Sequence, residues 1–215
     1  MQGILFKKLM TLANLKLIKS RTSRTRNLKK INEHPDDWNV KFVEDGIYCY
    51  FKNQSEPTCF IRCPYGKIGN ELYCKETYAY VSDPFAITTY VYYKDKSTRK
   101  LEHLKDGTTV YNYIEHPESI KWSSPLMMPE VASRYHIILE KIDCQRIQSI
   151  TDNDCIKEGI IQFGEEFALY PIDNNYPQFT REPRYSFKSL LDTVNPDNWN
   201  RNLWNWALYY KVKIK

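Results

Sequence analysis

Short runs of β-branched and aromatic residues, cut by turn residues, constrain this chain more than any other feature. Residues 47–51 (IYCYF) and 58–61 (TCFI) flank a polar, Pro-containing break at 53–57, the pattern of a β-hairpin. Another β-region begins at Asp36-Asp37-Trp38 and runs to Phe42. Residues 71–80 predict one strand, after turn signals at Pro64-Tyr65-Gly66 and Gly69-Asn70. Residues 90–93 and 108–114 predict a second hairpin, with a highly charged connection at 94–107. A long strand or strand pair is expected at 134–147 and a closing strand at 206–214. Helical signals are fewer. Residues 9–18 carry an imperfect apolar face, and residues 187–194 read as another helix. Thr151 with Asp154 three residues on predicts a capped short helix ending at Gly159. Residues 161–184 are expected to be loop. Mixed strands with few short helices predict an α+β fold.

Charge is distributed unevenly. Residues 1–32 hold nine Lys and Arg and no acidic residue, whereas the rest of the chain holds 22 basic against 26 acidic residues. The whole positive excess therefore lies in the leader, as expected of a phosphate-facing patch. A solvated basic arm is the plainer reading, and a transit peptide is a further one. With only 7 Gly, Gly-rich nucleotide loops are not expected. No apolar run is long enough to span a bilayer, so no membrane partner is expected. The 6 cysteines form no CxxC pair and read as reduced, buried thiols of a cytoplasmic protein, with neither metal nor other cofactor.

Three sequence words stand in fixed order. The first runs from Ile4-Leu5-Phe6 through Met10, Ala13 and Leu15 to the stretch Lys19-Ser20-Arg21-Thr22-Ser23-Arg24. The second is PYGKIGNELYCKETYAY, from Pro64 to Tyr80. The third is KWSSPLMMPEVASRY, from Lys121 to Tyr135, leading into the Thr151–Ile160 segment, with a Trp-rich end at 199–206. This order resembles the ASCH family of the PUA-like superfamily, above all its phage and prophage type. Departures are Leu17 where Gly is usual, Ser23 for the first Arg, Met127 for a His and Val131 for a Trp.

The resemblance implies a PUA-like mixed β-barrel with flanking short helices and inserted β-hairpins. It would occupy 1–215 as a single domain, with insertions at about 39–60, 82–118 and 161–184. It implies a cytoplasmic protein of a bacterial or phage-infected cell that binds RNA or a modified nucleoside in the barrel cleft. Arg21, Arg24, Arg26, Glu76, Trp122 and Arg134 are the expected ligand-binding residues. One branch of the family deacetylates acetylated cytidine. By that likeness Thr22 would be the nucleophile, Lys19 its activator and Glu158 the acid/base.

That chemistry needs a Lys whose pKa is depressed by burial or by nearby cations. The plainer alternatives stand beside it. Lys19 and Thr22 in a basic run can serve as phosphate contacts, and a helix-end Glu such as Glu158 is commonly an exposed charge. Glu76, on an otherwise apolar strand face, calls for a basic partner, Arg134 or a leader residue. Trp122 can stack on a base or pack in the core. A third reading is an accessory protein that binds a protein partner through its Tyr-rich insertion.

Overall fold

The computed structural model describes all residues except 45, 53–56, 84–87, 102–119 and 173–174. In chain order the elements are β1 (Gln2–Leu5), α1 (Lys8–Leu15), β2 (Arg21–Arg24), α2 (Lys29–Glu33), β3 (Trp38–Glu44), β4 (Ile47–Lys52) and β5 (Pro57–Arg62). They continue with β6 (Glu71–Lys75), β7 (Tyr78–Asp83), β8 (Thr88–Tyr93), β9 (Thr98–Leu101), β10 (Tyr135–Arg146) and α3 (Asp152–Lys157). The last are β11 (Gln162–Phe163), β12 (Glu166–Ala168), β13 (Phe179–Thr180), α4 (Pro183–Asp192), α5 (Asp197–Asn200) and β14 (Trp204–Ile214). The protein is thus mixed α+β, with strands in several sheets and few short helices. Among the described residues no helix is long and apolar enough to cross a membrane.

Two compact units are assembled from interleaved stretches. One comprises Met1–Leu15, Glu71–Ile137 and Lys213–Lys215. In it β1 pairs in parallel with β6, Gln2 opposite Leu72 and Leu5 opposite Lys75. Strands β7, β8 and β9 form an antiparallel sheet, and β7 and β8 pack on both of their faces. Alternation along β7 sends Tyr78 to a cluster with Val91, Tyr93, Met128 and Ala132, and Ala79 and Val81 to one with Tyr92 and Ile120. Each such side chain taken out of water contributes about 1.5–3 kcal/mol.

Two sequence expectations need correction in this unit. The strand expected at 71–80 is broken after Lys75, because the Glu76 N–H donates to Met128 Sδ at 3.2 Å rather than to a neighbouring strand. The strand expected at 108–114 lies outside the described residues. Where a long charged connection was expected, β8 turns back at once into β9. Asp95 Oδ1 accepts the Ser97 N–H at 3.1 Å, and Lys96 takes a left-handed φ of 70°. This side-chain-closed turn replaces the long connection.

The other unit comprises Lys16–Asn70 and Ile138–Val212. Its strands form a β3-β4-β5 sheet, an order β10-β14-β2, and a small β11-β12-β13 sheet. That small sheet occupies the stretch expected to be loop. Gly164, at φ 60°, lets the chain reverse between Phe163 and Glu166, which face each other across the ladder. The core is aromatic and its polar tips are satisfied. Tyr48 donates to the Ile142 carbonyl at 2.7 Å, Trp204 Nε1 to the Pro35 carbonyl at 2.9 Å, and Trp206 Nε1 to the Arg26 carbonyl at 2.9 Å.

Leu17, which stands where the resembling family has Gly, adopts φ 58° and is exposed. A left-handed conformation costs an L-residue about 1–2 kcal/mol, and glycine pays little of it. Leu17→Gly should therefore raise the unfolding free energy by about 1 kcal/mol in urea titrations, after the added unfolded-state entropy is subtracted. An unchanged or lower value would mean that this turn relaxes without strain.

Candidate functional site

The functional candidates of the second unit converge on one carboxylate. Strand β2 pairs antiparallel with β14, Arg21 opposite Tyr209 and Thr22 opposite Leu208. Alternation puts Arg21 and Ser23 on one face, and Thr22 and Arg24 on the other. Helix α3 is capped as its sequence predicts: Thr151 Oγ1 accepts the Asp154 N–H at 3.2 Å. The helix ends at Glu158, followed by Gly159 at φ 86°. A carboxylate at a helix C-terminus is opposed by the helix dipole, so it needs cations.

It has two. Lys19 Nζ donates to Glu158 Oε2 at 2.7 Å and also to the Glu158 backbone carbonyl. Arg21 Nη1 donates to Glu158 Oε1 at 2.6 Å. Ser23 donates to the same oxygen at 2.7 Å. The side chains of Lys19, Arg21 and Glu158 are 1%, 0% and 5% exposed, so this is a sealed cluster rather than a surface bridge. The Arg21 guanidinium also lies 5.3 Å from the centre of the Tyr209 ring, and Tyr209 donates to Asp154 at 2.9 Å.

Burial sets the electrostatics. Loss of hydration pushes the Lys19 ammonium down, Glu158 pulls it back up, and Arg24 and Arg21 add repulsion, leaving it at about 8. Burial works to raise Glu158, but Lys19 and Arg21 outweigh it and hold the carboxyl below the usual range. Lys19 thus has the depressed pKa that a proton acceptor needs, yet its ammonium is bonded to Glu158. The hydroxyl beside Glu158 belongs to Ser23. Thr22, the expected nucleophile, is buried and faces away along the strand. Arg21, expected to contact a ligand, is wholly buried, Arg24 is half-buried and Arg26 is exposed.

The candidates of the first unit form a second group. Arg134 grips Glu76 with two parallel bonds, Nε to Oε1 at 2.8 Å and Nη2 to Oε2 at 2.7 Å. Its remaining nitrogen, Nη1, donates to Asp95 Oδ2 at 2.8 Å and to Ser97. The guanidinium lies 4.2 Å from the centre of the Tyr93 ring. Burial raises the Glu76 pKa despite Arg134. Asp95 is held low, since its bonds to Ser97 and Arg134 outweigh its lesser burial. Trp122 stacks on Tyr92, rings 5.6 Å apart, with Lys94 Nζ 3.8 Å from its ring centre.

Of these groups, Glu76, Lys94, Asp95 and Arg134 border a cavity of about 240 Å³, lined also by residues 5–8, Thr11, Leu12, Thr77 and Pro125. Glu76 and Thr77 reach it because the β6–β7 break lies there. Sequence reading identified Glu76 and Arg134 but missed Thr11, Lys94 and Asp95. The Asp-Lys-Ser turn at 95–97 was a legible signal for Asp95, whereas a Thr inside a short amphipathic helix carries none. Among the described residues no group of His, Cys, Asp and Glu could hold a metal ion. No family model, no curated protein and no solved structure matches this chain.

Proposed function

We propose that this is an ASCH-type protein of the PUA-like class that binds RNA or a modified nucleoside in the cavity of its first unit. The observation that carries the reading is a buried carboxylate in a space lined by lysines. Glu76 is fixed by Arg134, while Lys7, Lys8 and Lys94 line the same space. A fixed carboxylate accepts hydrogen bonds from the exocyclic amine of a base such as cytosine. Lysines neutralise phosphate, and Leu5, Phe6, Leu12 and Pro125 give an apolar wall for a ring. Hydrolysis by Lys19, Thr22 and Glu158 draws less support, since Thr22 stands apart from the other two.

Single-stranded RNA oligomers titrated at several salt concentrations test the proposal. Affinity should fall with log[salt] at a slope of roughly −0.7 per phosphate contact, so about −2 if all three lysines engage. Lys8→Gln and Lys94→Gln should each flatten that slope by about 0.7. Salt-independent binding, or none at all, would sink the reading.

A further inference from the structure

We propose that the loop following β5 holds the phosphate of one nucleotide of a single-stranded nucleic acid, while Phe60 stacks on its base. The site is built from residues of the second unit alone and does not rest on the reading of the first-unit cavity.

Glycines set the shape of the loop. Gly66 sits at φ 99° and Gly69 at φ 85°, in the left-handed region that glycine adopts at little cost. Asn70 Oδ1 accepts the Lys67 N–H at 2.8 Å, and the Asn70 N–H returns to the Lys67 carbonyl at 3.0 Å. Asn70 thus folds over Gly66, where an added Cβ would lie 2.2 Å from Oδ1. Arg62, Gly66, Lys67 and Asn70 line the resulting pocket of about 240 Å³.

The pocket offers donors and no carboxylate. Arg62 is exposed, and among the described residues its guanidinium has neither hydrogen bond nor ion pair. Because Asn70 Oδ1 is committed to a backbone N–H, the group it presents to a ligand is Nδ2, a donor of two hydrogens. Lys67 has further contacts within the chain and adds positive charge without being needed as a donor. A planar guanidinium beside an amide donor suits the oxygens of a phosphate. Burial raises the phenol of the adjacent Tyr65, and Arg24 and Arg26 oppose that rise, so the loop lies in a cationic field. Glu44, opposite Ile47 and one strand beyond Arg62, forms no ion pair with it.

Phe60 points to a nucleotide rather than a bare anion. Tyr48 and Tyr50, opposite Ile61 and Cys59, are 2% and 0% exposed and mark the inner face of the sheet. Alternation therefore puts Phe60 and Arg62 together on the outer face, about 6.5 Å apart along the strand. Phe60 is 64% exposed there, and Lys41 shares its row across Cys49. An open ring beside an unused guanidinium fits an unpaired base and its phosphate. Paired bases in a duplex hide the faces that such a ring needs.

Fluorescence anisotropy of the full chain with a short, end-labelled single-stranded RNA tests the site. A duplex of the same sequence and inorganic phosphate are the other probes. Asn70→Asp keeps the oxygen that holds the loop and turns the amide donors into a carboxylate. It should weaken RNA binding about tenfold, as should Arg62→Gln, each losing a charge-assisted bond. Phe60→Ala should weaken it at least about fivefold, and Phe60→Tyr, which keeps a ring, should not. Inorganic phosphate should displace the RNA more than chloride does at equal ionic strength, an excess that Asn70→Asp should abolish. All three positions are exposed, so urea midpoints should match the wild type.

Wild-type affinity in both Arg62→Gln and Asn70→Asp would overturn the site, whatever Lys94→Gln does in the first unit. Weakening by those two variants without any effect of Phe60→Ala, or equal binding of the duplex, would overturn the stacked base. The pocket would then stand for phosphate alone. Binding of neither RNA nor phosphate would overturn the whole proposal.

Discussion

Glu158→Ala should lower the unfolding free energy by about 3–5 kcal/mol, the range for removing one partner of a buried ion pair. The reason is what remains. Lys19 and Arg21 would stay inside the protein, 1% and 0% exposed, without the carboxylate that neutralises them. Lys19 could shed its proton, being already depressed to about 8, but Arg21 cannot. Lys19→Met should cost less than Glu158→Ala, because the surviving Arg21–Glu158 pair stays neutral and Ser23 still donates to Glu158. Urea unfolding followed by tryptophan fluorescence gives both values. A loss below about 1 kcal/mol for Glu158→Ala, the size of an exposed bridge, would show that water enters the cluster. The ordering of the two variants is the stronger check, since it depends on which charge is orphaned rather than on how much volume is lost.

The same cluster shows which parts of the molecule could be read from its sequence. Alternation and capping are local, so Thr151 as a cap and the 134–147 strand were legible from neighbouring residues. That Lys19 and Glu158 bond, although 139 positions apart, came only from a resemblance, because composition carries no distance. The hydroxyl beside Glu158 is that of Ser23 rather than Thr22 for a physical reason. On a strand, Ser23 lies on the face of Arg21 and Thr22 does not, and the β2–β14 pairing turns that face towards Glu158. Around Glu76 the sequence indicated a buried charge in need of a cation, and Arg134 fills that place. Asp95 was hidden because a run of charges at 94–107 reads as a solvated loop until the Asp95–Ser97 turn is recognised.

Above pH 9 the protein should lose several kcal/mol of stability in reductant, although Lys19 acts in the opposite direction. Burial pushes the thiol of Cys63 up to about 11 and those of Cys144 and Cys155 up to about 12. In the unfolded chain these thiols ionise near 9.0. Above that pH the unfolded state binds fewer protons than the folded one, so unfolding becomes easier as pH rises. Tyr48 and Tyr50, raised by burial from 10.0, join at higher pH with the same sign. Lys19 releases its proton at about 8 when folded and at 10.5 when unfolded. Between those values the unfolded chain binds the extra proton, and stability rises with pH.

A fully titrating group contributes about 1.4 kcal/mol per pH unit, so one ammonium is outweighed by three thiols once these begin to ionise. The expected profile therefore rises gently from pH 8 to 9 and then falls. Lys19→Met should abolish the rise and keep the fall, whereas Cys63→Ala combined with Cys155→Ala should make the fall shallower. Urea titrations at half-unit steps resolve both limbs. A wild-type curve that stays flat or keeps climbing past pH 9 would mean that the buried thiols ionise inside the folded protein.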